Sequence, residues 1–232
     1  MNVHFTVDVE QDCPPYLTGW RGIEQGMPRL LTMLAEEGVR GTFFTTGEVA
    51  RRFPAAVEAI VSAGHELGCH GDTHRDFSTL TLAEAEHEVR HASLSLRPFG
   101  SVTSFRAPYL RFPRDYMAVL AQFDYTLDSS EGRHKQLGAS VHSDHGVLRV
   151  PASVTSSTLR WPAVVRDRLL ARLSDPIVLF VHPWEFVDLR RERLRYDCRF
   201  RTGDEAIDAA RSALQFLAAR GATFAPMSRR VA

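Results

Sequence analysis

The chain has 232 residues, 44% hydrophobic and 24% charged, proportions that suit a globular enzyme and favour one domain over two. Lys+Arg and Asp+Glu both total 28, and a formal net charge of zero argues against a dedicated nucleic-acid or anionic-membrane surface. No stretch approaches the roughly 18 consecutive apolar residues of a membrane span, and Cys13, Cys69 and Cys198, widely spaced and without a CxxC pair, are expected to be three reduced thiols.

Met1 to Asp8 begins directly in a strand-like run, with neither a basic leader nor an apolar segment before a cleavage site; a cytoplasmic location is therefore expected. A strand is predicted over 3–7, an amphipathic helix over 23–37 stopped by Gly38, and a strand over 41–45. Pro54 opens a helix over 54–63 that Gly64 ends, and a brief strand follows over 65–69. Thr81 and Glu84 form a capping box for a helix with Leu82, Ala85, Val89, Ala92 and Leu96 on one face. Strands over 104–106 and 125–127 flank a helix over 113–122, whereas 129–158, rich in Ser, His and Gly, reads as irregular. A helix over 162–173 precedes the apolar run 176–181, which has the composition of a buried parallel strand. Thr202 and Glu205 cap a last helix carrying Ile207, Ala210, Leu214 and Leu217, followed by a strand over 222–225. With no linker and no repeat, residues 1–232 read as one α/β domain, a parallel sheet wrapped by helices and either open or closed into a barrel.

The unusual polar residues fall at strand ends. Asp8, His70, Arg106, Asp128 and His182 each end or follow a predicted strand, and the carboxyl ends of parallel strands share the face on which α/β enzymes build their sites. His70-Gly-Asp-Thr-His74 places two imidazoles four residues apart, able to share a metal ion or merely to cap a turn. Asp8-Val-Glu10 offers two carboxylates, one for a metal and one for a proton, although with Asp12 they could equally be a solvated acidic loop. Arg106-Ala-Pro-Tyr109 sets a guanidinium beside a rigid turn, where it could hold a carboxylate in a site or in a purely structural pair. His182, closing the apolar strand before Pro183-Trp-Glu185, needs a polar partner, either a site or the backbone.

In this order the five elements resemble the polysaccharide deacetylase superfamily (NodB homology, carbohydrate esterase family 4) over residues 3 to 186. The resemblance implies a distorted (β/α) barrel of NodB-homology type and a divalent metal held by one acid and two histidines. By position it implies His70 and His74 as metal ligands, Arg106 as the residue orienting the base, Tyr109 as the oxyanion-hole position and His182 as general acid. The first motif departs from the family pattern, reading Thr6-Val-Asp8-Val-Glu10 where Thr-Phe-Asp-Asp-Gly is usual, so that Val9 stands at the metal-Asp position. Similarity to a subgroup with Asp-Val-Asp or Asp-Val-Glu implies Asp8 as base and Glu10 as ligand, with Asp12 in reserve. Gly71 replaces the usual Ser or Thr after the first histidine, which is expected to change only a supporting bond, and Phe180-Val-His182 fits the last motif with Phe for Leu. Gln25-Gly-Met-Pro-Arg-Leu-Leu and Gly41-Thr-Phe-Phe-Thr are similar to the branch containing a lipid-linked formamido-arabinose deformylase and peptidoglycan and allantoinase-like relatives.

The activity so implied is removal of an N-acyl group, acetyl ahead of formyl, from an amino sugar or glycan-type small molecule. Zn is the default metal, and two imidazoles with one carboxylate also suit Fe, Co, Ni or Mn. Two rivals stand beside it: a cyclic-amide hydrolase on the same scaffold, and a catalytically silent, metal-stabilised carbohydrate-binding domain. Trp20, Trp161 and Trp184 could each stack on a sugar or simply pack. No nucleic-acid partner is expected, and the oligomeric state is left open.

Overall fold

A sequence that alternates short β-branched runs with amphipathic helices has to bury both faces of its strands, and it does so by curling the sheet on itself. The computed structural model describes residues 1–135 and 138–229. Its strands are β1 (Asn2–Val9), β2 (Thr42–Thr45), β3 (Glu66–Cys69), β4 (Ser104–Phe105), β5 (Leu127–Asp128), β6 (His142–Asp144), β7 (Val147–Arg149), β8 (Ile177–Val181) and β9 (Thr223–Phe224). Their order is β6-β7-β5-β4-β3-β2-β1-β8, with β9 added to β1 below β2. Beyond β7 the chain crosses towards the other edge: Val150 N–H donates to the Asp128 carbonyl at 2.8 Å, and Ser153 N–H to the Val178 carbonyl at 2.8 Å. The result is the expected distorted barrel.

Alternation along β1 sorts the side chains. Val3, Phe5, Val7 and Val9 enter the main apolar cluster, which runs from Val3 to Leu217 and unites the sheet with its helices. The intervening residues face the barrel interior, where Thr6 donates to the Leu179 carbonyl and Asp8 and Glu10 line a cleft. Phe43 and Phe44 divide in the same way, Phe43 outward and Phe44 into a separate inner cluster with Leu127, Val150, Val178 and Met227.

The helices are α1 (Met27–Glu36), α2 (Gly47–Arg52), α3 (Pro54–Ser62), α4 (Leu82–Leu96), α5 (Met117–Gln122), α6 (Ala163–Leu170), α7 (Tyr196–Arg199) and α8 (Asp204–Ala219). None of the described helices is long and apolar enough to cross a membrane. The capping box of α4 forms as expected, Thr81 accepting from Glu84 N–H while the Glu84 carboxylate accepts from Thr81 N–H. Thr81→Ala should lower stability by about 1 kcal/mol. A thermal melt unchanged within error would show that tertiary packing, not the cap, holds this end.

Several expectations are corrected. The helix over 23–37 is instead a π turn (Gly22–Gly26) running into α1; Pro28, at its start, lacks an N–H and crowds the preceding turn, which widens. Leu82, placed on the buried face of α4, is 51% exposed because it sits at the first helical position, ahead of the packed turns. Thr202 does not cap α8: Gly203 is the N-cap residue, Thr202 Oγ1 accepts from Leu189 N–H, and Glu205 pairs with Arg201. The region 129–158 contains the antiparallel hairpin β6–β7, turned by His145 and Gly146 with φ of 49° and 78°, so the sheet is mixed rather than wholly parallel. Residues 136–137 of that region and 230–232 lie outside the described residues. Helices α2 and α7 were not anticipated; Thr46 Oγ1 caps α2 by accepting from Val49 N–H at 3.2 Å.

Candidate active site

Register explains why distant residues meet. Val9 pairs with Thr45, Thr45 with Cys69, Cys69 with Phe105 and Phe105 with Asp128, while Val7 pairs with Val181. Glu10, His70 and Arg106 therefore follow their strands at one level, His182 follows Val181 at the level of Asp8, and all open toward the carboxyl-end mouth. A cleft of about 340 Å³ opens there, lined by Asp8, Glu10, His70, His74, Tyr109 and His182 among others.

Glu10, His70 and His74 offer ligand atoms that all lie within 4.8 Å of one another. Glu10 Oε2 is 2.6 Å from His74 Nε2 and 3.2 Å from His70 Nε2. Nδ1–H of His70 donates to the Arg106 carbonyl at 2.7 Å, which leaves the lone pair of Nε2 turned toward Glu10. Trp184 Nε1–H donates to the other Glu10 oxygen at 3.3 Å and fixes the carboxylate plane. Burial alone would raise the Glu10 carboxyl, but the imidazoles of His74, His182 and His70 outweigh it and hold it well below the usual range. Two imidazole lone pairs and a carboxylate held ionised in a buried pocket fit a divalent cation. Gly71, at φ +75°, supplies the backbone turn that lets His74 come back over His70, and Glu88 secures that loop by accepting from the N–H groups of Asp72 and Thr73, both at 3.0 Å.

Asp8 sits two residues before Glu10 on the same face of β1, with a different neighbour. Arg106, fully buried, donates from Nη1 to Asp8 Oδ1 at 2.7 Å and to Thr6 Oγ1 at 2.7 Å, and from Nη2 to Ser129 Oγ at 2.9 Å. Its guanidinium carbon lies 4.3 Å from the centroid of the Phe44 ring, so packing and hydrogen bonds fix it together. Asp8 Oδ2 receives no hydrogen bond from the described residues, and Asp8 lines the cleft.

His182 is held from behind. Nδ1–H donates to Glu185 Oε1 at 2.8 Å, and the other Glu185 oxygen is 2.8 Å from Arg160 Nε. Nε2 faces the cleft, 3.8 Å from Glu10 Oε1, and the Trp184 ring stacks on the imidazole at 4.6 Å. Burial by itself lowers the imidazolium, but the carboxylates of Glu10, Glu185 and Asp8 prevail and it is pushed up to about 9. Tyr109 completes the rim: its ring packs edge-on to His74 at 4.8 Å, and its φ of 59° belongs to a run of left-handed residues (Cys13, His74, Tyr109, Leu110) around the mouth. Strain gathered at one opening is a common companion of function.

Two acids named from the sequence are otherwise engaged. Asp12 accepts from the backbone N–H groups of Arg21 and Gly22 at 2.8 and 2.7 Å, anchoring the start of the π turn. Asp128 keeps the strand-end register but is bound by Arg149 Nε at 2.7 Å and by Ser130, and it does not line the cleft. Trp20 packs on Phe53 beneath Arg52, Trp161 lies outside the cleft, and Trp184 is buried against His182 and Glu10. Sequence reasoning gave no role to Glu185, Arg160, Trp184 as a carboxylate anchor, or Glu88. Only Glu185 carried a local signal, its three-residue spacing from His182.

A family model described as polysaccharide deacetylase matches residues 6–127, more than half of the chain. The chain belongs to the polysaccharide deacetylase family. Within this family it is 38% identical over 163 residues to a chitooligosaccharide deacetylase of Sinorhizobium fredii, spanning 63% of this chain and 75% of that one. A peptidoglycan deacetylase of Helicobacter pylori is 30% identical over 110 residues, covering 46% of this chain but 37% of its own. A family 4 carbohydrate esterase from Streptomyces lividans, solved in complex with acetate, aligns over 96% of this chain and 90% of that chain with a TM-score of 0.63 at 19% identity. A family 4 pseudoenzyme from Bacillus anthracis aligns over 97% of this chain and 63% of that chain with a TM-score of 0.68 at 17% identity. At these identities the likeness establishes the fold, and the fold alone does not separate an active site from a silent one.

Proposed function

We propose that this chain hydrolyses the N-acetyl amide of an amino sugar. The C–N bond breaks, the oxygen of water joins the acyl carbon, and acetate and a free amine leave. One observation carries the reading: a carboxylate locked by a buried arginine (Asp8) and an imidazole backed by a carboxylate (His182) open onto the same cleft as the Glu10–His70–His74 cluster.

Glu10 and the Nε2 atoms of His70 and His74 would hold a divalent cation, with Zn the default and Fe, Co, Ni or Mn compatible with the donor set. Such an ion, when bound, supplies Lewis acidity to water and to the acyl oxygen. Asp8 takes a proton from the attacking water through the oxygen that Arg106 leaves free, while the Arg106 hydrogen bond keeps the carboxylate aimed. The backbone N–H of Tyr109 is the donor for the developing oxyanion. His182 passes the proton on Nε2 to the departing nitrogen, and Glu185 keeps Nδ1 protonated so that Nε2 is the atom that gives and regains it. Tyr16 and Tyr109, the exposed aromatics of the cleft, are the surfaces on which a sugar ring would lie, in place of the three tryptophans.

The test is an assay of acetate and amine release from N-acetylglucosamine oligomers, with formamido sugars and allantoin alongside, with and without a chelator. Acetate release should vanish with chelator and return with added divalent metal. Ring opening of allantoin without sugar deacylation would replace this reading by the cyclic-amide one. Metal and sugar binding without turnover of any of the three would make the domain a silent binder.

A further inference from the structure

The cleft does not end at the Glu10–His70–His74 cluster. A larger depression of about 720 Å³ lies beside it, and the two share Leu110, Arg111 and Lys135 along their common rim. That rim is cationic in a chain whose formal charge is zero, so the charge is local and not a by-product of a basic protein. The Lys135 ammonium donates to the Tyr109 carbonyl, which places it next to the ring that packs on His74. No carboxylate among the described residues forms an ion pair with Lys135. Arg111 Nη1 reaches Asp76 at 2.7 Å, yet its side chain stays 58% exposed, and Asp76 lines neither depression.

Of the other charged residues lining the larger depression, Arg149 and Glu131 are already matched, and Arg114 is a further cation. Arg149 is buried and paired with Asp128 at 2.7 Å and Glu131 at 3.3 Å, which leaves neither Arg149 nor Glu131 to answer the rim. Burial and the facing Arg111 push the Lys135 ammonium below the usual lysine range, which Asp76 only partly offsets. Two like charges brought together on an exposed edge are unfavourable by themselves, and an anion between them reverses the sign.

We propose that Arg111 and Lys135 form a subsite for an anionic substituent, a phosphate or a carboxylate, carried by the amino-sugar substrate next to its acetamido group. The inference rests on the deacetylase reading for the identity of the sugar, but not for the charge preference. The anion would bridge the two cations at the neck between the depressions, and the remainder of the substrate would extend into the larger one. Arg114, which also lines that depression, would lie along its path.

The experiment compares kcat/KM for three substrates on metal-loaded enzyme: N-acetylglucosamine, N-acetylglucosamine 1-phosphate and N-acetylmuramic acid. The wild type should favour one of the charged sugars, and Lys135→Met should cut the charged-to-neutral ratio by about 10–100-fold, the worth of one charge-assisted hydrogen bond. Lys135→Arg should recover most of the ratio, and a thermal melt checks that both variants are folded. Which charged sugar loses more identifies phosphate or carboxylate as the ligand group. Equal ratios for wild type and Lys135→Met, or no charge preference in the wild type, would overturn the subsite. If none of the three is turned over, the oligomer assay judges the deacetylase reading separately, and calorimetric titration with the same compounds decides the subsite. Tighter binding of a charged sugar to wild type than to Lys135→Met supports it; equal binding removes it.

Discussion

Asp8→Asn is expected to leave metal content near that of the wild type while turnover falls by about 10²–10⁴-fold, the usual worth of a general base. The substitution keeps the shape of the side chain, and its amide oxygen can still accept from Arg106, so the local packing survives. What it loses is the ability to take a proton. His70→Ala should behave differently: it removes one of three converging donors, so metal and activity should disappear together. Metal analysis of the two purified variants, run beside turnover of an acetamido sugar, separates the roles. A fully active Asp8→Asn, or one as stripped of metal as His70→Ala, would mean that Asp8 and Glu10 have to exchange places in the scheme.

The division between the two acids follows from neighbours that a sequence does not display. The Asp8-Val-Glu10 spacing puts both carboxylates on one face of β1, and that much follows from the two-residue period of a strand. Which of them meets the histidines depends on a rise of two residues, about 6.6 Å along the strand. Asp8, deeper by two residues, meets Arg106, whereas Glu10, at the lip, meets His70 and His74. The strand-end regularity was likewise legible, because register in a parallel sheet carries it around the barrel. It misled at Asp128, where the same register delivers a carboxylate to Arg149 and not to the cleft.

The supports of the site were harder to read. Arg160 lies 25 positions from Glu185 in the sequence, and the 3₁₀ turn Ser156–Arg160 that delivers it falls in a stretch without hydrophobic periodicity. The β6–β7 hairpin hid for the same reason: His142–Asp144 is polar on both faces, so its residues fit no strand pattern. For Trp184 the sequence leaves stacking on a sugar and packing equally open. Its indole stacks on His182 and donates to Glu10, joining His182 to the Glu10–His70–His74 cluster.

That linkage frames the second large effect, His182→Ala. Metal content should stay near wild type, since His182 is not among the three converging donors, and turnover of an acetamido sugar should fall by about 10²–10⁴-fold. The diagnostic is how the deficit depends on the leaving group. An amine cannot depart as its anion near neutral pH, so the amide needs a proton on nitrogen, whereas an activated aryl acetate expels a stabilised phenolate and needs none. The loss should therefore shrink strongly on the aryl ester. Glu185, which lies behind the imidazole and away from the ligand cluster, favours the protonated ring whether or not Glu10 shares its charge with a cation. Glu185→Gln should then produce a milder version of the same pattern. It also leaves Arg160 without its carboxylate, and a buried charge deprived of its partner costs about 3–5 kcal/mol, so folding has to be checked by thermal melt before the kinetics are read. An equal deficit for His182→Ala on amide and aryl ester would mean that the imidazole positions the substrate or the Glu10 carboxylate and does not deliver a proton.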